Sequence, residues 1–535
     1  MRSSSRAIPL HPLLFTLFPI VSLYARNRSE MMLRDAAAPA AIAVGVFGML
    51  WVLLSLFFRD WSRGGIITTI VTLVVFSWAP LDATLASRSV EPWFTATLLI
   101  VVGAALIGLI ARSKRSLAPL TRLANVAAGG ALVAALFPLV VASSADRSPA
   151  PTAGSLSELT EVDRTFERAL ETDTRPDIYY LIFDQYGSAE VLDSHFGWDN
   201  APFVEWLRSR GFFVADQSVA NYPRTVLALA ANLNLSYVHR ETRKVANSKV
   251  DWQALFTLLD DHRLGRFLQS RGYRYIHLGS WWPLTAKSSI ADLNLYPHVV
   301  VDFGTLLFRN TIIYAFVEAR EESYEFRREV WRTEREKLIR LPDLASRSEP
   351  SFVFAHFLIT HSPYVFTPEG DFISRDAAEA MTREQLYLAQ IAWTNRELMR
   401  IIATIQERGR TTGRMPVIIV QADEGPYPDR ILRDGEGFRD NPEPSFQWRT
   451  ATAEEFAIKS GIINAIFLPE KDADTLLWPS ITPVNTFRVI SNAYFGTSFP
   501  MLPDQRFVYE NEYDRNRFFR MEDGLWVEDA ATADP

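Results

Sequence analysis

The strongest constraint on this chain is an uneven distribution of apolar residues. Of its 535 residues the first 143 are mostly apolar, and the rest reads as a soluble protein even though the overall hydrophobic content is 48%. Five apolar segments stand out, roughly 8–25, 36–58, 66–81, 93–110 and 123–142. Each approaches the ~20 residues a helix needs to cross a bilayer. Pro9, Pro12 and Pro19 fall in the first segment, where neighbouring helices can re-satisfy the backbone groups they release. No small-residue cleavage site follows it and further apolar segments do, so it reads as a span and not a signal peptide. With a cytoplasmic N-terminus, Arg2, Arg6, Arg59, Arg63, Arg112, Lys114, Arg115 and Arg122 lie inside, and Arg26, Arg28, Arg34 and Arg88 outside. That positive-inside bias, with five spans, places the large C-terminal part outside the cytoplasm. Asp82, near one end, is the nearest approach to a charge within a span, which argues for an anchor and against a transport path.

Residues 144–175 read as a linker, rich in Ser, Ala, Pro and Gly at first and then acidic and helix-like. Residues 176–510 form the main soluble domain and 511–535 a C-terminal tail. The net charge of −7 gives no nucleic-acid footprint. The absence of cysteine excludes disulfides, thiolate metal sites and a cysteine nucleophile. Strand-like runs alternate with helix-like ones, which predicts an α/β domain with a mostly parallel sheet.

Four of these strands deliver polar residues at their C-terminal ends, the edge where open α/β folds bind ligands. Asp177-Ile-Tyr-Tyr-Leu-Ile-Phe runs into Asp184, and Pro416-Val-Ile-Ile-Val-Gln-Ala into Asp423-Glu424-Gly-Pro. A third leads to Gly-Ser-Trp281-Trp282, and a fourth to Ile-Thr-His361-Ser-Pro-Tyr. Acidic groups so placed suit a hard cation, although Asp, Glu, Gly and Pro also make ordinary turns. Asn221-Tyr-Pro-Arg leads to Thr225 at the start of an apolar helix. There Thr225 is either a plain N-cap or a group facing a bound phosphate. His277 and His356 lie within strands and read as structural. Residues 313–340 read as one long, charge-laced surface helix.

The order strand-Asp, loop-Thr, strand-His-x-Pro-Tyr, strand-Asp-x-Gly resembles the alkaline phosphatase/sulfatase superfamily. The apolar region ahead of it resembles the lipoteichoic acid synthase and phosphoglycerol transferase architecture. The segments beginning at His11-Pro-Leu-Leu, Pro176-Asp-Ile-Tyr-Tyr and Asn485-Thr-Phe-Arg-Val-Ile are similar to bacterial membrane-bound sulfatase-like proteins. The resemblance implies an α/β/α sandwich carrying a metal-dependent hydrolase or transferase in the bacterial inner membrane, with an envelope lipid or glycan as substrate. It makes Asp184 and Asp423 metal ligands and Thr225 both ligand and nucleophile. His361 would bind substrate, with Trp281 and Trp282 lining the pocket. Glu424 occupies the position where the family usually has His. A carboxylate there shifts preference from zinc towards manganese, magnesium or calcium, or marks a site that has lost catalysis and only binds envelope components. With no Cys, and with a loop that lacks the Ser form of the sulfatase pattern, phosphoryl transfer is expected over sulfuryl transfer. Few histidines remain to hold a second metal, so one ion is expected.

Overall fold

The computed structural model describes residues 8–27, 33–86, 92–144, 157–170, 175–243, 246, 252–296, 303–318, 322–345, 349–428, 448–511, 514–522 and 525–529. Arg2, Arg6, Arg28 and Arg88, and the first part of the linker, lie outside the described residues. The chain divides into two compact units, one comprising 1–147 and 301–323, the other 148–300 and 324–535.

The first unit contains α1 (His11–Asn27), α2 (Leu33–Phe58), α3 (Trp61–Phe76), α4 (Trp78–Ala86), α5 (Pro92–Arg112) and α6 (Ala118–Ser144). Among the described residues, three helices are long and apolar enough to cross a membrane, over Leu33–Phe58, Trp93–Arg112 and Ala118–Phe137. The other two segments expected to span are shorter as helices. The first is α1, with 17 residues. The second is broken at Ser77 into α3, with 16 residues, and α4, with 9. Small residues let the helices approach: a Cβ on Gly103 of α5 would lie 2.6 Å from Val74 Cγ2 of α3. Two short helices from much later in the chain, Phe303–Arg309 and Ile312–Glu318, also belong to this unit.

The second unit is built on a seven-stranded sheet. Its strands are β1 (Ile178–Phe183), β2 (Phe213–Val214), β3 (Arg274–Leu278), β4 (Leu293–Leu295), β5 (Ser351–Phe357), β6 (Val417–Gln421) and β7 (Asn464–Phe467). Their order is β2-β7-β6-β1-β5-β3-β4. The run from β6 to β4 is parallel, whereas β7 pairs antiparallel with β6 and β2 antiparallel with β7. A mostly parallel sheet is therefore present, with an antiparallel edge. β1 is buried along its whole length. This is why it reads as an unbroken apolar run and not as an alternating one.

Both faces of the sheet are covered by helices. Tyr179, Leu181 and Phe183 point to one face and join the core that includes Leu386, Ile391, Leu398 and Ile401 of the long helix Arg383–Thr412. Tyr180 points to the other face, where Phe487 of the helix Pro483–Phe495 meets it edge-on at 4.9 Å. β8 (Phe507–Asn511), β9 (Asp514–Glu522) and β10 (Leu525–Glu528) add a three-stranded antiparallel sheet, of which β9 and β10 fall in the region read as a tail.

The expected helix over 313–340 is two helices. Ile312–Glu318 lies in the first unit, and Glu322–Arg340 lies mainly in the second. The division follows composition: the first stretch reads Ile-Ile-Tyr-Ala-Phe-Val, and only the second is charge-laced.

Candidate functional site

Strand register assembles the site. β1 lies between β5 and β6, with Ile182 opposite His356 on one side and Gln421 on the other. Side chains two residues apart share a face, so Asp184 and Asp423, each two residues further on, emerge on the same face as His356. Asp184, His356 and Asp423 each offer a ligand atom, and those atoms lie within 4.8 Å of one another. All three side chains are buried. The Thr225 hydroxyl, at the first residue of the helix Thr225–Leu233, donates to Asp184 Oδ2 at 3.5 Å.

Most of the donor atoms of this group lack partners. Asp184 Oδ1, both oxygens of Asp423 and His356 Nε2 are buried without a well-formed hydrogen bond. His356 Nε2 stands 3.7 Å from Asp184 Oδ2. Buried carboxylate oxygens are costly unless something compensates them. Burial, with Asp184 and Glu424 close by, raises the Asp423 pKa well above the ordinary carboxylate range, and the Thr225 hydroxyl relieves it only in part. Burial also works to raise the Asp184 pKa. There the nearby His356, His361 and Lys459 prevail and hold it low. Two carboxylates, an imidazole and a hydroxyl form a donor set that fits a divalent cation of intermediate hardness.

Glu424 lies close to this group and is paired with a lysine. Its Oε1 accepts from Lys459 Nζ at 2.7 Å, and both side chains are essentially buried. Lys459 Nζ also donates to the Gly425 carbonyl at 3.0 Å and lies 3.3 Å from the centre of the Tyr427 ring. Burial pushes the Glu424 carboxyl up to about 7 and lowers the Lys459 ammonium, while their mutual attraction opposes both shifts. At 2.7 Å the charge pair is the arrangement that satisfies them. Oε1 of Glu424 is thus occupied by an ammonium, whereas its Oε2 is buried without a partner. The turn is tight: a Cβ on Gly425 would lie 2.3 Å from the Ile458 carbonyl oxygen.

His361 lies near Asp184, and Trp281 lies against His361. The Trp281 ring meets His361 edge-on at 5.9 Å, and Trp281 Nε1 is buried without a partner. The Trp282 N–H donates to Ser280 Oγ, which anchors the turn and does not itself mark a pocket. Gln185, next to Asp184, has φ 63°, a left-handed backbone that non-glycine residues adopt rarely. Both of its side-chain polar atoms are buried and unpartnered. Strain of this kind gathers at functional sites.

Behind His356 runs a buried chain of hydrogen bonds that fixes histidine tautomers. The Gly265 N–H donates to His262 Nδ1 at 2.9 Å, so His262 carries its proton on Nε2 and donates to the Tyr275 hydroxyl at 3.1 Å. Tyr275 donates to His277 Nδ1 at 3.0 Å, and His277 Nε2 donates to the Thr285 carbonyl at 2.9 Å. Both rings must be neutral for this, and burial lowers their pKa values to about 3 for His262 and about 4 for His277. Thr285 Oγ1 meets His356 Nδ1 at 2.8 Å and Ser280 Oγ at 2.7 Å. With Nδ1–H donating to Thr285, His356 presents the lone pair of Nε2 to the two aspartates.

Among the residues expected from sequence, Asp184, Thr225 and Asp423 come together here, with His361 and Trp281 alongside. His356 and Lys459 belong to the site and were not expected there. His356 sits mid-strand among apolar neighbours, so only the pairing of β5 with β1 reveals its place. Lys459 leaves a faint trace, a single lysine in the apolar turn Phe-Ala-Ile-Lys-Ser.

No family model matches the chain, and no curated protein matches it. Among solved structures it is similar to the C-terminal periplasmic domain of EcEptC from Escherichia coli in complex with Zn, with TM-score 0.42 and 11% identity over 67% of this chain and 93% of that one. It is similar to the integral membrane lipooligosaccharide phosphoethanolamine transferase A from Neisseria meningitidis, with TM-score 0.37 and 12% identity over 90% and 94%. It is also similar to the C-terminal periplasmic domain of phosphoethanolamine transferase EptC from Campylobacter jejuni, with TM-score 0.34 and 12% identity over 60% and 91%. At these identities and TM-scores a likeness carries neither residue roles nor substrates across.

Proposed function

We propose that this chain is a membrane-anchored, metal-dependent phosphotransferase or phosphodiesterase, sulfatase-like in architecture, that acts on lipid head groups or glycans of a bacterial envelope. The observation that carries this reading is the cluster of unpartnered, buried donor atoms on Asp184, His356 and Asp423, with the Thr225 hydroxyl against it. A site that had lost its chemistry would be free to fill such atoms with partners. Asp184, Asp423 and His356 would hold one divalent ion, with Thr225 as a further ligand. Bound there, the ion offsets the paired negative charges and makes the neighbouring hydroxyl more acidic.

The chain's own groups supply the rest. Thr225 passes its proton towards Asp184 Oδ2, and its oxygen attacks phosphorus in line as the bond to the leaving alcohol breaks. Phosphoryl oxygens meet the free N–H groups of the first turn of the helix Thr225–Leu233. His361, braced by Trp281, supplies a proton to the departing oxygen. An acceptor alcohol or water then attacks the phosphothreonine and gives its proton to His361, as the bond from phosphorus to the Thr225 oxygen breaks and that oxygen takes back its proton from Asp184. The basic residues Arg112, Lys114, Arg115 and Arg122 flank the connection between α5 and α6. This supports a cytoplasmic side for that connection and an extracytoplasmic α/β unit.

The test uses the full chain in nanodiscs with millimolar Mn²⁺ and a phospholipid carrying a labelled head group. Thr225→Ala should abolish release or transfer of the label while leaving the melting temperature near that of the wild type. Full activity in that variant would remove Thr225 as nucleophile.

A further inference from the structure

The segment between β4 and the helix Glu322–Arg340 departs from the α/β unit altogether. The chain leaves that unit after residue 300, contributes 301–323 to the helical unit and then returns. Within the helical unit, Phe303 and Leu307 pack into a cluster with Ile20 and Leu23 of α1 and Ala36 and Ala43 of α2. Ile312 and Ala315 pack with Trp78 and Ala96, beside Val74, Val75 and Leu99. These partners lie at the end of α1, the start of α2, the end of α3 and the start of α5. The two helices therefore sit at one end of the bundle, opposite the basic connection between α5 and α6.

Their outer face is also apolar. Phe308, Ile313 and Phe316 are 36%, 53% and 45% exposed. A helix facing water shows polar residues opposite its buried stripe, whereas one that is apolar all round is surrounded by apolar material. Elsewhere in the chain, among the described residues, exposed large apolar side chains crowd onto α2, α5 and α6, and only Leu170, Ile339, Met501, Leu525 and Val527 lie in the α/β unit. Aromatic residues mark the same end of the bundle. Trp93 and Phe94 at the start of α5 are each 53% exposed, and Tyr314 lies 6.1 Å from Trp78 and 6.2 Å from Phe308. Such aromatics gather at the level of the head groups. Asn310 and Thr311 close the turn between the two helices by bonding back to the Leu306 and Phe308 carbonyls.

We propose that the helix pair Phe303–Arg309 and Ile312–Glu318 is an interfacial element whose outer face, through Phe308, Ile313 and Phe316, is occupied by phospholipid at the boundary between acyl chains and head groups. The occupant follows from continuity: the pair packs on α2 and α5, two of the helices long and apolar enough to cross a bilayer and rich in exposed apolar side chains. The proposal is independent of the chemistry assigned to Asp184 and Thr225.

The chain contains no cysteine, so single cysteines label cleanly. Phe308→Cys, Ile313→Cys, Phe316→Cys and a control, Ala201→Cys at an exposed position of the α/β unit, are labelled with an environment-sensitive fluorophore in the full chain in nanodiscs. Lipids spin-labelled near the top of the acyl chain should remove most of the emission at 308, 313 and 316 and little at 201, with aqueous iodide showing the reverse order. Quenching of the three by iodide as strong as at 201 would overturn the proposal. So would protection from both quenchers, which would mean that protein covers the face. Three separate, exposed positions keep the result independent of the folding of any one variant.

Discussion

Asp423→Asn removes one negative charge from the candidate metal group while keeping the side chain's shape. The ligand atoms of Asp184 and Asp423 lie within 4.8 Å of each other. At an effective dielectric constant of about 20, two unit charges at that distance repel by about 3 kcal/mol. Without metal the wild-type protein bears this cost, or takes up a proton on Asp423 to avoid it. For a domain of this size about 3 kcal/mol corresponds to a rise of about 4 °C in melting temperature. The full chain in nanodiscs would be melted with EDTA and then with millimolar Mn²⁺, following tryptophan fluorescence. Metal-free Asp423→Asn should melt above the metal-free wild type. Mn²⁺ should raise the melting temperature of the wild type and leave the variant almost unmoved. The folded pKa of Asp423 is raised above its unfolded value, so its ionisation in the folded state costs stability at high pH. The advantage of the variant should accordingly shrink as pH falls through that raised pKa. A metal-free variant that melts below the wild type, or a wild type indifferent to Mn²⁺, Mg²⁺ and Ca²⁺ alike, would refute the reasoning.

Thr285→Val keeps the backbone acceptor for His277 but removes the hydroxyl that meets His356 Nδ1. Metal affinity, read from titrations of the melting shift, should weaken about 10- to 100-fold. Lys459→Met leaves Glu424 buried without its ammonium and should cost about 3–5 kcal/mol, whereas the double variant Lys459→Met/Glu424→Leu should recover most of it; denaturant midpoints of the three proteins decide this. His262 and His277 are held neutral, with pKa values of about 3 and 4 against 6.5. Folded pKa values below the unfolded one make their contribution complete above about pH 6.5 and progressively lost on acidification, by about 2 kcal/mol each at pH 5. Melting temperatures at pH 7 and pH 5 should therefore differ less in His262→Asn than in the wild type, and an unchanged difference would count against the tautomer chain.

How much of this was legible beforehand depends on the range of the interactions. Apolar runs long enough to cross a bilayer, and the alternation of strand and helix in the soluble half, are local patterns and can be read from composition alone. So can the acids that end β1 and β6, because a buried strand that stops at a charged residue announces its own C-terminal edge. Three features are non-local. His356 reads as one more buried residue of β5 until the pairing of Ile182 with both His356 and Gln421 sets three strands in register. Glu424 reads as a ligand, and only the fold shows that Lys459, from the helix Ala453–Ser460, pairs with its Oε1 across 2.7 Å. Residues 303–318 read as part of the soluble half by position, and Ile313 onward as the start of a charged surface helix. Only packing against α1, α2, α3 and α5 returns them to the helical unit. Sequence by itself determined which segments are apolar enough to leave water and which strands end in acid, because burial and periodicity act along the chain. Tertiary structure alone decided which charges meet, because a buried carboxylate is set by whatever partner the fold brings within a few ångströms.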